Sequence, residues 1–243
     1  VYQSGSDNCG TVNQVSVSPN TFNCGDLGAN TVTLTVNDGH SNTHTCTATV
    51  TVADAMAPTV TCNAYTANLD ASGSVSIATG NVYQSGSDNC GTVNQVSVSP
   101  NTFNCGNIGV NTVTLTVNDG HGNTGTCLAT VTVGDRVLPT ITCPANATVP
   151  AGANCTAALA SYTAAATTND NCTANPGKTQ SPVSGTTIAG SQVVTLTATD
   201  AANNSAACTF TVTVADQTAP TITCPANIAT TTDMGQCSAV TTY

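Results

Sequence analysis

Residues 31–52 read TVTLTVNDGHSNTHTCTATVTV, two runs in which apolar and polar residues alternate on either side of a turn. In the first run Val32, Leu34 and Val36 share one parity and the threonines share the other. A period of two puts these sets on opposite faces of a strand, so the pattern predicts two half-buried antiparallel strands. The turn residues Asn37-Asp38-Gly39 separate the strands.

The same stretch recurs 81 residues later as part of a tandem repeat. Residues 1–25 and 82–106 are identical, and in a diverged third copy Asn169-Asp170-Asn171-Cys172 matches Ser87-Asp88-Asn89-Cys90. Several short strands in about 80 residues are typical of a small immunoglobulin-like sandwich. We therefore expect an all-β fold of tandem, small, disulfide-linked immunoglobulin-like β-sandwiches in an elongated rod.

The composition excludes several classes of protein. The 243 residues contain 12 acidic and 2 basic side chains, for a formal net charge of −10. Two cations, Arg136 and Lys178, cannot form the basic surface that a nucleic-acid partner requires. No run approaches the roughly 18 apolar residues of a membrane span, so we expect no membrane insertion. We also expect no enzymatic activity, because no nucleophile–base constellation is recognisable.

The 13 cysteines indicate a disulfide framework. The closest two are 12 residues apart, so the clustered spacing of a zinc or iron–sulfur site is missing. His40 and His121 are interpreted as exposed loop residues. Disulfides form in oxidising compartments, which predicts an extracellular or cell-surface location.

Two sequence features resemble a known family. Pro139-Thr140-Ile141-Thr142-Cys143-Pro144-Ala145-Asn146 returns at 220–227, and the third copy closes with Cys208-Thr209-Phe210-Thr211-Val212-Thr213-Val214. These strings resemble the hyalin-repeat (HYR) family, and the Ser-Asp-Asn-Cys variant resembles tandem repeats of large secreted surface proteins of Bacteroidetes-type bacteria. The resemblance implies an immunoglobulin-like fold and an extracellular structural or adhesive role.

On an immunoglobulin-like strand order, the chain divides into four segments. Residues 55–135 and 136–216 are predicted to be complete repeats, the second a diverged HYR-like one. Residues 1–54 are expected to supply strands C to G of a partial domain, and residues 217–243 strand A and the start of strand B of another.

The same scheme suggests a disulfide pairing. The predicted pairs are Cys143–Cys155, Cys172–Cys208, Cys90–Cys127, Cys9–Cys46, Cys62–Cys105 and Cys224–Cys237. Cys24 is left unpaired within the chain. A rival scheme joins Cys90 to Cys105 and Cys62 to Cys127, and the sequence leaves both open.

Nine of the 12 aspartates lie at three recurring places: the B–C loop, the F–G loop and the inter-domain linker. On this strand order the three places meet at one end of a domain, where unshielded carboxylates would repel one another. Ca²⁺ takes six to eight oxygen ligands and would relieve that repulsion. One ion is predicted at Asp54, Asp88 and Asp119, and another at Asp135, Asp170 and Asp200. The alternative is that these aspartates only cap turns.

Three functions remain open. The first is a structural segment of an extracellular filament or cell-surface stalk, stiffened by disulfides and Ca²⁺. The second is a glycan- or protein-binding adhesive module, and the third is a passive spacer in a larger secreted enzyme. The expected partners are head-to-tail copies of the chain or flanking repeats of the same polypeptide.

Overall fold

The computed structural model describes residues 1–224, 226–232 and 234–237. The predicted all-β class is confirmed, since the described helical segments are single turns: the α-helix α1 (Thr79–Val82) and the 3-10 turns Cys24–Asp26, Cys105–Asn107 and Ala153–Cys155. The chain forms two compact units. The first holds residues 1–139, 169–176 and 200–204, and the second holds residues 140–168, 177–199 and the described residues from 205 onward.

The strands of the first two copies of the repeat lie in the first unit. They are β1 (Asn13–Ser18), β2 (Gly28–Asn37), β3 (Thr43–Val52), β4 (Thr59–Cys62), β5 (Tyr65–Asn68), β6 (Ser74–Ser76), β7 (Tyr83–Ser87), β8 (Asn94–Ser99), β9 (Thr102–Asn104), β10 (Gly109–Asn118) and β11 (Thr124–Gly134). The first copy forms the sheet β1-β2-β3, and the second forms the sheets β5-β11-β10-β8, β4-β7 and β6-β9.

The third copy repeats this arrangement. Its strands are β12 (Thr140–Thr142), β13 (Ala147–Pro150), β14 (Thr156–Ala158), β15 (Thr167–Asn169), β16 (Gly177–Ser181), β17 (Thr187–Ala189), β18 (Ser191–Thr199) and β19 (Ser205–Ala215). They form the sheets β13-β19-β18-β16, β12-β15 and β14-β17. In each complete copy one strand joins the long sheet in parallel, β5 on β11 and β13 on β19.

The alternating pattern determines which faces are buried. In β10, Val113, Leu115 and Val117 are at most 1% exposed, and the intervening threonines are half-buried or exposed. The antiparallel partner β11 buries Val131 and Val133 against them. β-branched Thr suits the outer face of such a sheet. The predicted half-buried strands are therefore confirmed.

Each complete copy has its own small core with few aromatic side chains. The core of the second copy contains one buried phenylalanine, Phe103, among valine, leucine, isoleucine and alanine. In the third copy Phe210 meets Tyr162 edge to face, with ring centroids 4.9 Å apart. Cores of this size bury little apolar surface, so covalent cross-links carry a large share of the stability.

The core disulfides join the first and last strands of each complete copy. Cys62 of β4 bonds Cys127 of β11, and Cys143 bonds Cys208 of β19, with separations of 65 residues in both cases. Cys62 and Cys127 pack at the edge of the same core. The predicted pairs Cys62–Cys105, Cys90–Cys127, Cys172–Cys208 and Cys143–Cys155 are therefore wrong, whereas the Cys62–Cys127 bond of the rival scheme is present.

The other two disulfides join successive copies of the repeat. Cys24 bonds Cys90, and Cys105 bonds Cys172, with separations of 66 and 67 residues. The prediction that Cys24 is unpaired is wrong, and so is the rival pair Cys90–Cys105. Strand parity could not reveal these bonds because the Asp-Asn-Cys cysteines lie in loops, where alternation does not fix the direction of a side chain.

Five cysteines are free and exposed in this structure: Cys9, Cys46, Cys155, Cys224 and Cys237. The predicted pairs Cys9–Cys46 and Cys224–Cys237 are therefore absent. Cys9 and Cys46 are the repeat equivalents of Cys90 and Cys127, which bond different partners in the second copy.

Gly73 lies against the Cys105–Cys172 disulfide in a left-handed conformation, with φ +75°. A Cβ there would lie 2.8 Å from Cys105 Sγ and 3.1 Å from the Asn171 carbonyl oxygen. We expect Gly73→Ala to destabilise the protein by about 2–4 kcal/mol, from the φ cost and the contact together. Thermal unfolding should show a clearly smaller loss for the control Gly109→Ala, which has φ +111° and no atom within 4 Å of its Cβ. Equal losses would mean that the disulfide does not require the glycine.

Candidate metal centres at the repeat junctions

The aspartate set predicted at the second junction comes together in the first unit. Oxygen atoms of Asp135, Asp170 and Asp200 all lie within 4.8 Å of one another. Asp135 and Asp200 are buried, at 7% and 6% exposed, and Asp170 is half-buried. Asp135 follows the last strand of the second copy, Asp170 lies in the Asp-Asn-Cys loop, and Asp200 begins the turn after β18. Three loops distant in sequence thus direct carboxylates to one point.

Hydrogen bonds orient all three carboxylates. Asp200 accepts from the backbone N–H of Asn204 at 2.7 Å and from its side-chain amide at 2.8 Å. The Asn204 amide also donates to the Asp135 carbonyl oxygen. Asp170 Oδ2 accepts the backbone N–H of Cys172 at 3.0 Å. Asp135 Oδ1 accepts the Asn171 amide at 3.2 Å. These hydrogen bonds connect the three loops and orient their carboxylates.

The remaining oxygens have no partner. Asp135 Oδ2, Asp170 Oδ1 and Asn171 Oδ1 are buried and accept no hydrogen bond. A buried polar oxygen without a donor is costly, and two carboxylate oxygens with one amide oxygen are suited to a cation with oxygen ligands. The described contacts place neither cationic side chain among them, and Lys178 Nζ donates instead to the Ala166 carbonyl oxygen.

The first junction has a related arrangement with one substitution. Asp54, Asp119 and His121 form the cluster within 4.8 Å. Asp54 Oδ2 and Asp88 Oδ1 are buried without a hydrogen-bond partner, as are their equivalents in Asp135 and Asp170. His121 Nδ1 lies 3.9 Å from Asp54 Oδ2. The structure thus brings Asp54 and Asp119 together and leaves Asp88 outside the tight cluster. It adds His121, which is exposed as predicted but lies beside the two carboxylates.

Asp119 is charged over most of the pH range. Burial raises its pKa, but hydrogen bonds from the Asn123 side chain and from the backbone N–H groups of His121 and Asn123 together lower it by more, so the net pKa lies below the ordinary value of 3.8. Because the pKa of Asp119 is lowered in the folded state, its charged carboxylate stabilises the fold fully at pH values above its unfolded-state pKa. That stabilisation is lost as the pH falls through its folded-state pKa. At neutral pH Asp119 therefore contributes an anionic carboxylate to the site.

Each centre lies beside a junction disulfide. Cys105 Sγ lies 3.5 Å from the Asn171 carbonyl oxygen, and Cys24 Sγ lies 3.1 Å from that of Asn89. The Asn89 amide donates to Asp54 Oδ1, and the Asn171 amide donates to Asp135 Oδ1 in the same way. One Asp-Asn-Cys loop therefore supplies a carboxylate, an amide and a disulfide. The identical sequences around Cys24 and Cys105 show that the two positions are equivalent, but not which cysteine each one bonds.

The comparison with protein families agrees with this architecture. Residues 134–214 match the family model of the HYR domain. The resemblance to the hyalin-repeat family is confirmed for these residues, which form a disulfide-bonded β repeat of the extracellular type. No curated protein matches the chain. No helix among the described residues is long and apolar enough to cross a membrane.

Solved structures show distant likenesses. The extracellular cadherin fragment PcdhgB3 EC1-4 has 15% identity and a TM-score of 0.34, over 88% of this chain and 66% of that one. The N-terminal Ig1-2 module of the Drosophila receptor protein tyrosine phosphatase DLAR has 10% identity and a TM-score of 0.22, over 66% and 100%. The chain thus spans slightly less than two thirds of the first structure. The fold assignment rests on strand order and pairing, not on these likenesses.

Proposed function

We propose that this chain is a structural repeat segment of an extracellular filament or cell-surface stalk. In this proposal Ca²⁺ binds at the repeat junctions, and disulfides cross-link them. The observation that carries the proposal is the pairing, at two successive junctions, of buried unpartnered carboxylate oxygens with an inter-repeat disulfide.

The geometry supports this role because both devices restrain a junction. A linker of a few residues between small sandwiches allows relative motion by default. A bound cation would oppose that motion, because its ligands come from the linker, the Asp-Asn-Cys loop and the loop after the first long strand of the hairpin. A disulfide between copies opposes the motion as well. The proposal assigns no catalytic role. The proposal includes the division of the chain into repeats after residues 54, 135 and 216.

Trypsin offers a direct test of a Ca²⁺-dependent junction. The chain has two tryptic sites, Arg136 beside Asp135 and Lys178 in β16. We expect CaCl₂ to slow cleavage after Arg136 roughly tenfold or more relative to EDTA, because cleavage requires local opening of the linker. Cleavage after Lys178 is the internal control and should change little. Mass spectrometry of the fragments over time measures both, and equal rates at Arg136 in the two buffers would contradict a junction ion.

The structural role itself is tested on the native material. Immunogold electron microscopy with antibodies against this chain should label filaments or stalks outside the cell, at regular spacing along them. Label confined to the cell interior would overturn the proposed role. Label on discrete particles that bind glycans or proteins would favour the adhesive module instead.

A further inference from the structure

We propose that Cys155 forms the inter-repeat disulfide of the third copy, and that its partner is the cysteine of an Asp-Asn-Cys loop in another repeat. This deepens the proposed function and rests on it. In the first two copies the link begins at Cys24 and Cys105. The third copy has no cysteine between Cys172 and Cys208, so it lacks a sequence equivalent of Cys24 and Cys105.

The strand register shows that a cysteine on the neighbouring strand occupies the corresponding place in the third copy. In the second copy Ser74 of β6 pairs with Asn104 of β9, so Gly73 and Cys105 lie opposite each other just beyond the pair. In the third copy Thr156 of β14 pairs with Ala189 of β17. The residues just beyond that pair are Cys155 and Gly190. Cysteine and glycine have exchanged strands at the same end of the same two-stranded sheet.

The turn before this sheet confirms the equivalence of Gly73 and Cys155. In the second copy the backbone N–H of Asp70 donates to the Ser74 carbonyl oxygen, and in the third the N–H of Gly152 donates to that of Thr156. Gly73 has φ +75° and Cys155 has φ +56°. A left-handed conformation favours glycine, yet the third copy places a cysteine there.

The acceptor groups around the existing link also recur at Cys155. At the second junction the Asn171 amide donates to the Asp70 carbonyl oxygen and to Asp135 Oδ1. The equivalents of these two acceptors are the Gly152 carbonyl oxygen and Asp216. Gly152, Cys155 and Asp216 line one shallow pocket of the second unit. This pocket offers an incoming Asn-Cys loop two oxygen acceptors and a thiol.

The chain contains a matching loop whose cysteine is free. Of the three Asp-Asn-Cys loops, those of Cys90 and Cys172 are already bonded, and that of Cys9 is free and exposed. The backbone N–H of Cys9 donates to Asp7 Oδ2 at 2.9 Å, as the N–H of Cys172 donates to Asp170 Oδ2 at 3.0 Å. The Cys9 loop thus already has the local hydrogen bond of the bonded loops, so a second copy of the chain presents a suitable Asp-Asn-Cys loop to Cys155 in solution.

The bond forms by thiol–disulfide exchange with a disulfide oxidant, for which oxidised glutathione is the probe. The Cys9 thiolate attacks the oxidant and releases one reduced glutathione. The Cys155 thiolate then attacks the mixed disulfide and releases the second. Two thiols lose two protons and two electrons in total, and one oxidised glutathione takes them up as two reduced molecules.

The test uses the full chain in a glutathione redox buffer, with non-reducing electrophoresis and peptide mapping. We expect covalent oligomers in which a Cys9–Cys155 peptide is the dominant new link. The single variants Cys9→Ser and Cys155→Ser should each lose that link. An equimolar mixture of the two should regain it as a dimer, because each chain then supplies one partner. The control Cys46→Ser should behave as the unmodified chain does.

Two results would overturn this assignment. One is Cys155 that stays free under these conditions, and the other is Cys155 that bonds Cys46, Cys224, Cys237 and Cys9 indiscriminately. Either result leaves the proposed function standing if Ca²⁺ still protects Arg136 from trypsin. Immunogold label inside the cell would overturn the proposed function even where the Cys9–Cys155 link forms in the purified chain.

Discussion

EDTA should lower the melting temperature of this protein by roughly 10 to 20 °C relative to a buffer in which free Ca²⁺ is at about 100 times its dissociation constant. A ligand at that concentration stabilises the folded state by about 2.7 kcal/mol for each site. In a domain of about 80 residues, 1 kcal/mol shifts the melting temperature by roughly 4–8 °C. Differential scanning calorimetry measures the shift, and isothermal titration calorimetry should find two ions per chain, at Asp54/Asp119 and at Asp135/Asp170/Asp200.

The repeat supplies a matched pair of variants for this prediction. Asp38 and Asp119 occupy equivalent loops and accept the same hydrogen bonds, from the N–H groups of His40 and Asn42 in one case and of His121 and Asn123 in the other. Asp119 belongs to a cluster with Asp54, whereas Asp38 belongs to neither described cluster. We therefore expect Asp119→Asn to remove one of the two ions and part of the Ca²⁺-dependent shift, and Asp38→Asn to leave both unchanged. A melting temperature that does not respond to EDTA would refute the prediction.

Removal of the core disulfide of the second copy should have the second large effect. Cys62 and Cys127 are 65 residues apart, and a cross-link that closes a loop of that size contributes about 4 kcal/mol through the entropy of the unfolded chain. The core it spans has one buried phenylalanine and is otherwise aliphatic, so little else compensates. We expect the double variant Cys62→Ser with Cys127→Ser to unfold this copy at much lower urea concentration, with circular dichroism as the measurement.

The control for the disulfide prediction is Cys9→Ser with Cys46→Ser. These residues occupy positions equivalent to Cys90 and Cys127, but both are free and exposed, so the same substitutions should change the urea midpoint little. If the core variant keeps the full midpoint of the unmodified protein, the small apolar cores are sufficient and the cross-link is not the main source of stability. A variant that fails to fold supports the prediction only if the control folds.

Many residues of the candidate sites could be predicted from the sequence because the chain is a tandem repeat. The diverged repeat keeps Asp88 and Asp170, and Asp119 and Asp200, at corresponding points of successive copies, so the strand order predicted that Asp135, Asp170 and Asp200 approach one another. The participation of His121 could not be predicted, because an Asp-Gly-His turn does not show in which direction its imidazole points. Asp88 lies outside the described cluster, although its Oδ1 is buried without a hydrogen-bond partner, as that of Asp170 is.

The sequence by itself determined the β class, the strand positions and the faces they bury, because a period of two in β-branched and aliphatic residues has one physical interpretation on a pleated strand. It also determined that the cysteines form a disulfide framework. Only the tertiary structure decided the partners. Cys62 bonds Cys127 because the two strands lie at the edge of one core, and Cys24 bonds Cys90 because the Asp-Asn-Cys loop meets the preceding copy. Pairing depends on distances between segments about 65 residues apart, and local alternation carries no information about those distances.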